Sequence, residues 1–298
     1  MNVSPALRAF MARSIDYAGL FPPASLQLEP ALKNYRAYLD SEDAWMLSTF
    51  VLPIAKFGDA AWLVSQFSSE KPLRLSALGP RTINAIDYAE ELKNISKGVR
   101  QLRADARDVV QIEQLEMPLP AGVTAVSTLP LRTFWEAAPD DAPRTIEMLA
   151  ASQGSSGAQP LGFKLRTGGV TADAFPTSRQ IARVLVTAAK YNVPVKFTAG
   201  LHHPVRMFRE EVKTTMHGFL NVLGAGLFAR EQKWDEEQST AMLEDEDAGA
   251  FRFTDESFHW RDFQMGVAAI AKQRAFITSF GSCSFDEPRE DLRELKML

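Results

Sequence analysis

Short apolar runs, several of them ended by proline or glycine, alternate along most of this chain with segments whose apolar positions recur every three or four residues. That alternation predicts strands interleaved with helices. The first run, Arg13 to Ala24, gives a short strand carrying Asp16 that Pro22 and Pro23 stop. Residues 26–41 form a helix through Leu28, Leu32, Tyr35 and Leu39, and Trp45 to Leu52 is a second strand stopped by Pro53. A helix over Phe57–Phe67, a strand over Leu73–Leu78, a helix over Thr82–Ile95 and a strand over Val109–Leu115 follow. Leu131–Ala137 is the fifth strand, and a helix around Thr145–Ala151 and a small-residue linker, Ser152–Ala158, lead to the sixth at Leu161. The seventh begins at Val195, Met216–Ala229 is an apolar helix, Asp262–Lys272 a final helix, and Ala275–Phe280 the eighth strand.

Eight strands alternating with helices imply an α/β protein with a parallel sheet, and a single (β/α)8 TIM barrel over residues 1–298 accommodates the length. The interruption is an acid-rich stretch at about 230–262, containing Glu244-Asp-Glu-Asp247, which reads as a solvated insertion or lid. Composition adds little: 46% hydrophobic and 23% charged residues are ordinary for a soluble domain, and no apolar run is long enough to suggest a membrane span. A net charge of −4 without a basic stripe argues against a nucleic-acid partner. One cysteine, and an N-terminus lacking a signal-peptide pattern, lead to the expectation of a cytoplasmic location. Homo-oligomerisation stays open.

Candidate chemistry enters with Leu161 to Pro204. Two apolar runs there, Leu-Gly-Phe-Lys-Leu-Arg-Thr-Gly-Gly and Val-Pro-Val-Lys-Phe-Thr-Ala-Gly-Leu, each carry one lysine and each run into glycine, with an amphipathic helix between them. A charged side chain in a strand covered by helices is costly to bury unless it is paired, so two lysines at equivalent places ask for a reason. Alternation puts Lys164 on one face with Arg166, and Lys196 with Thr198, which leads both lysines into one cavity about one strand spacing, ~5 Å, apart. Barrel sites lie at the C-terminal ends of strands, which adds Asp16, Glu113 and Glu136 to the candidates. A lysine attacks a carbonyl only as the free amine, and a neighbouring cation lowers its pKa, so Lys196 is expected to activate Lys164. A carboxylate acting through water would then move the proton.

At these positions the chain resembles the deoxyribose-phosphate aldolases, class I aldolases on a (β/α)8 barrel that form a Schiff base. The family's sixth-strand Lys-x-Ser-Thr-Gly is matched by Lys164-Leu-Arg-Thr-Gly168, and its seventh-strand Val-Lys-x-x-Gly-Gly-Ile by Val195-Lys-Phe-Thr-Ala-Gly-Leu201. Its first-strand Ile-Asp-His-Thr-x-Leu-x-Pro-x-Ala is similar to Ile15-Asp-Tyr-Ala-Gly-Leu-Phe-Pro-Pro-Ala24, and its fifth-strand glutamate to Glu136. The resemblance implies a lyase in which Lys164 forms the Schiff base and Lys196 lowers its pKa. It also implies that Asp16, with Asp108 of Asp108-Val-Val110 or the competing Glu113, relays protons. Arg166 replaces a small serine and implies a substrate with a carboxylate or other anionic group. The family's phosphate-binding turn is here Ala199-Gly-Leu-His-His-Pro204. Thr198, Glu136, His202, His203 and Ser282, the last in Gly281-Ser-Cys-Ser284, are expected to contact a small carbonyl substrate, with no cofactor and no metal.

Other readings compete. The lysines can be structural, salt-bridged to Glu113 and Glu136, and Asp16 can cap the turn after its strand. Cys283 can be a packed loop residue. A non-catalytic barrel would bind an anionic small molecule through Arg166 and the lysines, and a metal-dependent hydrolase would use His202, His203 and a carboxylate.

Overall fold

The computed structural model describes residues 3–60, 64–120, 122–126, 129, 131–153 and 159–298. Eight parallel strands close into a barrel: β1 (Ile15–Tyr17), β2 (Leu47–Pro53), β3 (Leu73–Leu78), β4 (Val110–Pro118), β5 (Arg132–Glu136), β6 (Leu161–Arg166), β7 (Val195–Thr198) and, last in the chain, β13 (Ile277–Ser282). Closure is made by β1, where Ile15 registers with Leu47 on one side and Phe280 on the other. The expected (β/α)8 architecture is therefore present.

The helical layer is α1 (Pro5–Met11), α2 (Leu28–Tyr38), α3 (Phe57–Ala60), α4 (Ala85–Ala106), α5 (Ala142–Ala151), α6 (Ser178–Tyr191), α7 (Phe219–Glu231), α8 (Glu236–Leu243), α9 (Val267–Gln273) and α10 (Asp286–Glu294). Local chemistry sets α6, which joins the two lysine strands. Thr177 and Gln180 form a reciprocal capping box at its start, Asn192 ends it in the left-handed region, and Ile181, Val184, Leu185 and Ala188 bury one stripe. The helix expected over Phe57–Phe67 is α3 followed by a 3-10 turn at Val64–Gln66, with 61–63 outside the described residues. The linker at Ser152–Ala158 likewise falls mostly outside them, at 154–158. Helix α4 runs eleven residues past the expected end at Ile95, to Ala106.

The stretch at 230–262 serves the fold. Helix α7 is apolar on every side and buried from Phe219 to Ala229, so a second layer must cover the face turned away from the barrel. That layer is α8 and a three-stranded antiparallel sheet, β10 (Phe251–Phe253), β11 (Ser257–Trp260) and β12 (Phe263–Gly266). Phe228 of α7 stacks on Trp234 at 4.4 Å between ring centroids and meets Phe258 at 5.9 Å, while Phe10 of α1 packs on Phe258 at 4.7 Å. The acidic tract is not simply solvated either: Asp245 is buried and accepts from Trp260 Nε1 at 2.8 Å and Arg261 Nε at 2.9 Å. The first part of the expected 262–272 helix is strand β12, because Phe263 and Met265 alternate with Gln264 and Gly266 and pair across to Trp260 and Phe258. A small hairpin, β8 (Met207–Arg209) with β9 (Thr214–Met216), follows β7.

Candidate active site

Pairing between β5, β6 and β7 sets three charged residues in one row. Glu136 registers with Lys164, and Lys164 with Lys196, so the expected juxtaposition of the two lysines is present. Arg166 and Thr198 pair two residues further on, towards the mouth. The loops leaving β6 and β7 touch at glycine: a Cβ on Gly200, whose φ is +77°, would stand 2.7 Å from the Cα of Gly168. Thr167 ties the same loops together, its N–H donating to the Thr198 carbonyl at 2.9 Å and its hydroxyl to that of Ala199 at 2.6 Å. The glycines after both lysine motifs thus let the strand ends approach closely enough to hold the lysines side by side.

Each lysine is paired, and a carboxylate joins them. Lys164 Nζ lies 2.7 Å from Glu116 Oε2 and 2.9 Å from Glu136 Oε2. Lys196 Nζ lies 2.7 Å from Glu116 Oε1 and 2.6 Å from Asp16 Oδ2. Both carboxylates are held by further donors. Ser76 Oγ donates to Glu116 Oε1 at 2.5 Å and itself accepts from Gln114 Nε2 at 3.1 Å. Thr49 donates to Asp16 Oδ1 from its backbone N–H at 3.1 Å and its hydroxyl at 2.5 Å, and the Ser279 hydroxyl donates to Oδ2. Burial alone would raise the Glu116 carboxyl, but the two ammonium groups and the bonds they donate outweigh it and hold the group at about 2. For Lys196, burial opposes the charge, yet Asp16 and Glu116 raise its pKa above the ordinary value.

Glu116 takes the place in the site that sequence reasoning had given to Asp108 or Glu113. Asp108 is exposed in a 3-10 turn ahead of β4, at the N-terminal end of the barrel. Glu113 binds Arg13 at 2.5 Å and Arg74 at 3.7 Å, near the same end. Two features of β4 account for the misassignment: it runs to Pro118, three residues past the expected end at Leu115, and it carries a β-bulge. Leu75 registers with Ile112 but Ser76 with Gln114, so β4 spends an extra residue at Glu113 and the inward phase passes to Gln114 and Glu116. Simple alternation cannot show this. The available signal was a glutamate inside the apolar run Leu115-Glu116-Met117, near the strand's C-terminal end.

A cavity of about 270 Å3 opens onto this network, and its lining includes Glu116, Lys164, Arg166, Thr198, His202 and Cys283. Phe21, Pro22, Val51, Leu78 and Val170 supply an apolar wall. Lys196 does not line the cavity, and its side chain is only 1% exposed. Arg166 has a side chain 48% exposed, and its Nε lies 3.7 Å from Glu136 Oε1. His202 Nδ1 lies 2.9 Å from Glu287 Oε2 on α10. Burial opposes protonation of His202, but hydrogen bonds with Cys283 and Glu287 raise it to about 9. His203 Nδ1 lies 2.7 Å from Asp291, and that residue borders a different cavity beside the β8–β9 hairpin. Ser282 is buried, with its hydroxyl accepting from the Ser284 N–H at 3.4 Å; its neighbours Gly281 and Cys283 line the mouth instead. No residue of the 230–262 segment lines this cavity, so among the described residues that segment is a sheath for α7 rather than a cover for the mouth. Among the described residues, no three His, Cys, Asp or Glu side chains are grouped to hold a metal ion.

The fold and the mouth together define a (β/α)8 barrel with a buried lysine–carboxylate network beneath an open cavity. No protein-family model matches the chain, and no curated protein does.

Proposed function

We propose that this barrel is a Schiff-base-forming lyase, acting by aldolase-like carbon–carbon bond cleavage or formation, or a related dehydration, on a small anionic carbonyl compound. The supporting observation is the division between the lysines. Lys164 borders the cavity between two carboxylates, whereas Lys196 is sealed behind Glu116 and Asp16. Lys164 is therefore the nucleophile and Lys196 a fixed cation that keeps Glu116 ionised.

The chemistry follows from what surrounds Lys164. Its ammonium group must shed a proton to attack a carbonyl carbon, and Glu116 and Glu136 both lie within hydrogen-bond reach to accept it. The resulting carbinolamine loses its hydroxyl as water when that proton is returned, leaving a protonated imine at Lys164. The imine withdraws electrons from the adjacent C–C bond. As that bond breaks, the hydroxyl proton on the departing carbon passes to a carboxylate, a carbonyl product leaves, and an enamine remains on Lys164. Protonation of the enamine carbon and hydrolysis of the imine then release the second product and restore the amine. Arg166, at the cavity wall, supplies a fork-shaped partner for a substrate carboxylate, and protonated His202 adds positive charge nearby.

Complete pairing of both lysines also favours a second reading, a barrel that binds an anionic small molecule without covalent chemistry. Hydrogen exchange separates the two. Enamine formation makes the protein exchange α-protons of a bound carbonyl compound for solvent deuterium, observable by proton NMR with acetaldehyde and pyruvate as probes. Exchange that disappears in Lys164→Met supports the lyase; no exchange above the protein-free rate, with binding retained, supports the binding barrel.

A further inference from the structure

The opposite end of the barrel carries a second set of charges that the mouth chemistry leaves unused. Arg13 precedes β1, Arg74 and Arg132 lie at the starts of β3 and β5, and Arg274 precedes β13. Hydrogen bonds and ion pairs link the chain segments that carry them. Arg132 Nη2 donates to the Ala275 carbonyl at 2.9 Å, Arg274 donates to Ile277 and, at 3.1 Å, to the Ala12 carbonyl, and Arg13 and Arg74 share Glu113.

Glu113 is the carboxylate in ion-pair contact with this set, meeting Arg13 and Arg74, while Asp16 acts on Arg132 and Arg274 through its field alone. Arg132 and Arg274 rest on backbone carbonyls, which orient a guanidinium group but do not neutralise it. The Nε of each is buried with no hydrogen-bond partner, and a buried unmet donor on a cation costs more than a neutral one. Burial correspondingly depresses both groups against the opposing pull of Asp16, Arg274 to about 10. Arg13 and Arg74 retain side chains 46% and 33% exposed, so this pair is open to solvent.

We propose that the barrel floor is an anion site for a small oxyanion of the phosphate class, engaged by Arg132 and Arg274 through their free Nε groups and closed by Arg13 and Arg74. A tetrahedral oxyanion offers more oxygens to guanidinium forks than the two of Glu113, which meet Arg13 and Arg74 only. Glu113 then competes with the ligand for the two rim arginines. The site stands apart from the mouth and does not depend on the lyase reading.

The probe is inorganic phosphate, titrated into the full chain by calorimetry at constant ionic strength. Saturable binding is expected. Arg132→Gln should weaken it about tenfold or more, the loss of one charge-assisted contact. Arg74→Gln, at the exposed rim, should weaken it in the same direction and covers the case in which Arg132→Gln fails to fold. Glu113→Gln should tighten binding by removing the competing carboxylate, and Arg166→Ser should leave it unchanged. Absence of saturable binding overturns the proposal. Binding that Arg166→Ser abolishes while Arg74→Gln and Arg132→Gln spare it also overturns it, since the phosphate would then sit in the mouth.

Discussion

Lys164 and Lys196 occupy directly paired positions on β6 and β7, and each ammonium group lies 2.7 Å from a different oxygen of a single carboxylate, Glu116. The cations therefore do not face one another bare, and the repulsion expected to activate Lys164 is divided by an anion. Glu116 is consequently the residue on which both the stability and the reactivity of the network turn.

Removing its charge exposes this. Glu116→Gln leaves two buried ammonium groups with Asp16 and Glu136 only, and breaking a buried pair in this way costs about 3–5 kcal/mol. Denaturant unfolding at neutral pH should show that loss. With the anion between them gone, the free-amine form of Lys164 should be favoured, so the pH profile of its reaction with aldehydes should move towards acid. An unfolding midpoint equal to wild type would contradict the bridging role.

The hydrogen bonds of His202 with Cys283 and Glu287 make stability pH-dependent. The histidine's folded-state pKa, about 9, is above its ordinary 6.5, so its contribution is complete below pH 6.5 and lost as pH rises through 9. The depressed pKa of Glu287, set chiefly by its hydrogen bond from His202, keeps the carboxylate charged across this window. Wild type should exceed Glu287→Gln in denaturant midpoint near pH 6.5, and the two should converge above pH 9. A constant difference across that range would show that Glu287 contributes through packing alone.

Arg166 tests the substrate class. If it pairs with a substrate carboxylate, Arg166→Ser should weaken carboxylate-bearing substrates by about 2–5 kcal/mol in kcat/KM while sparing neutral aldehydes. Equal losses for both would mean that the arginine acts by holding Glu136, its partner at 3.7 Å.

Sequence made the barrel and half of the site legible, for definable reasons. Lysines inside apolar runs advertise themselves, because burial of an amine requires a partner, and both Lys164 and Lys196 lie where alternation puts them. Asp16 was recognisable from its place on the first strand, near the end where barrel sites lie, and it holds Lys196. Glu116 was hidden because β4 continues past the expected end at Leu115 and because the extra residue at Glu113 exchanges the two faces of the strand. The sheet β10–β12 was hidden by charge: acids at 244–247 drew attention from alternating Phe251, Phe253, Phe258 and Trp260, which do the packing. His202 and His203 share an origin in sequence but not a destination. Glu287 and Asp291, four residues apart on α10, hold the rings beside separate cavities.

The central claim is that Lys164 is a nucleophile, and reductive trapping reads it directly. Wild-type protein incubated with pyruvate or acetaldehyde and then borohydride should gain one reduced adduct in intact mass, located by peptide mapping at Lys164, and Lys164→Met should gain none. An adduct that persists undiminished in Lys164→Met, or no adduct on folded wild-type protein across a panel of small aldehydes and keto acids, would contradict it.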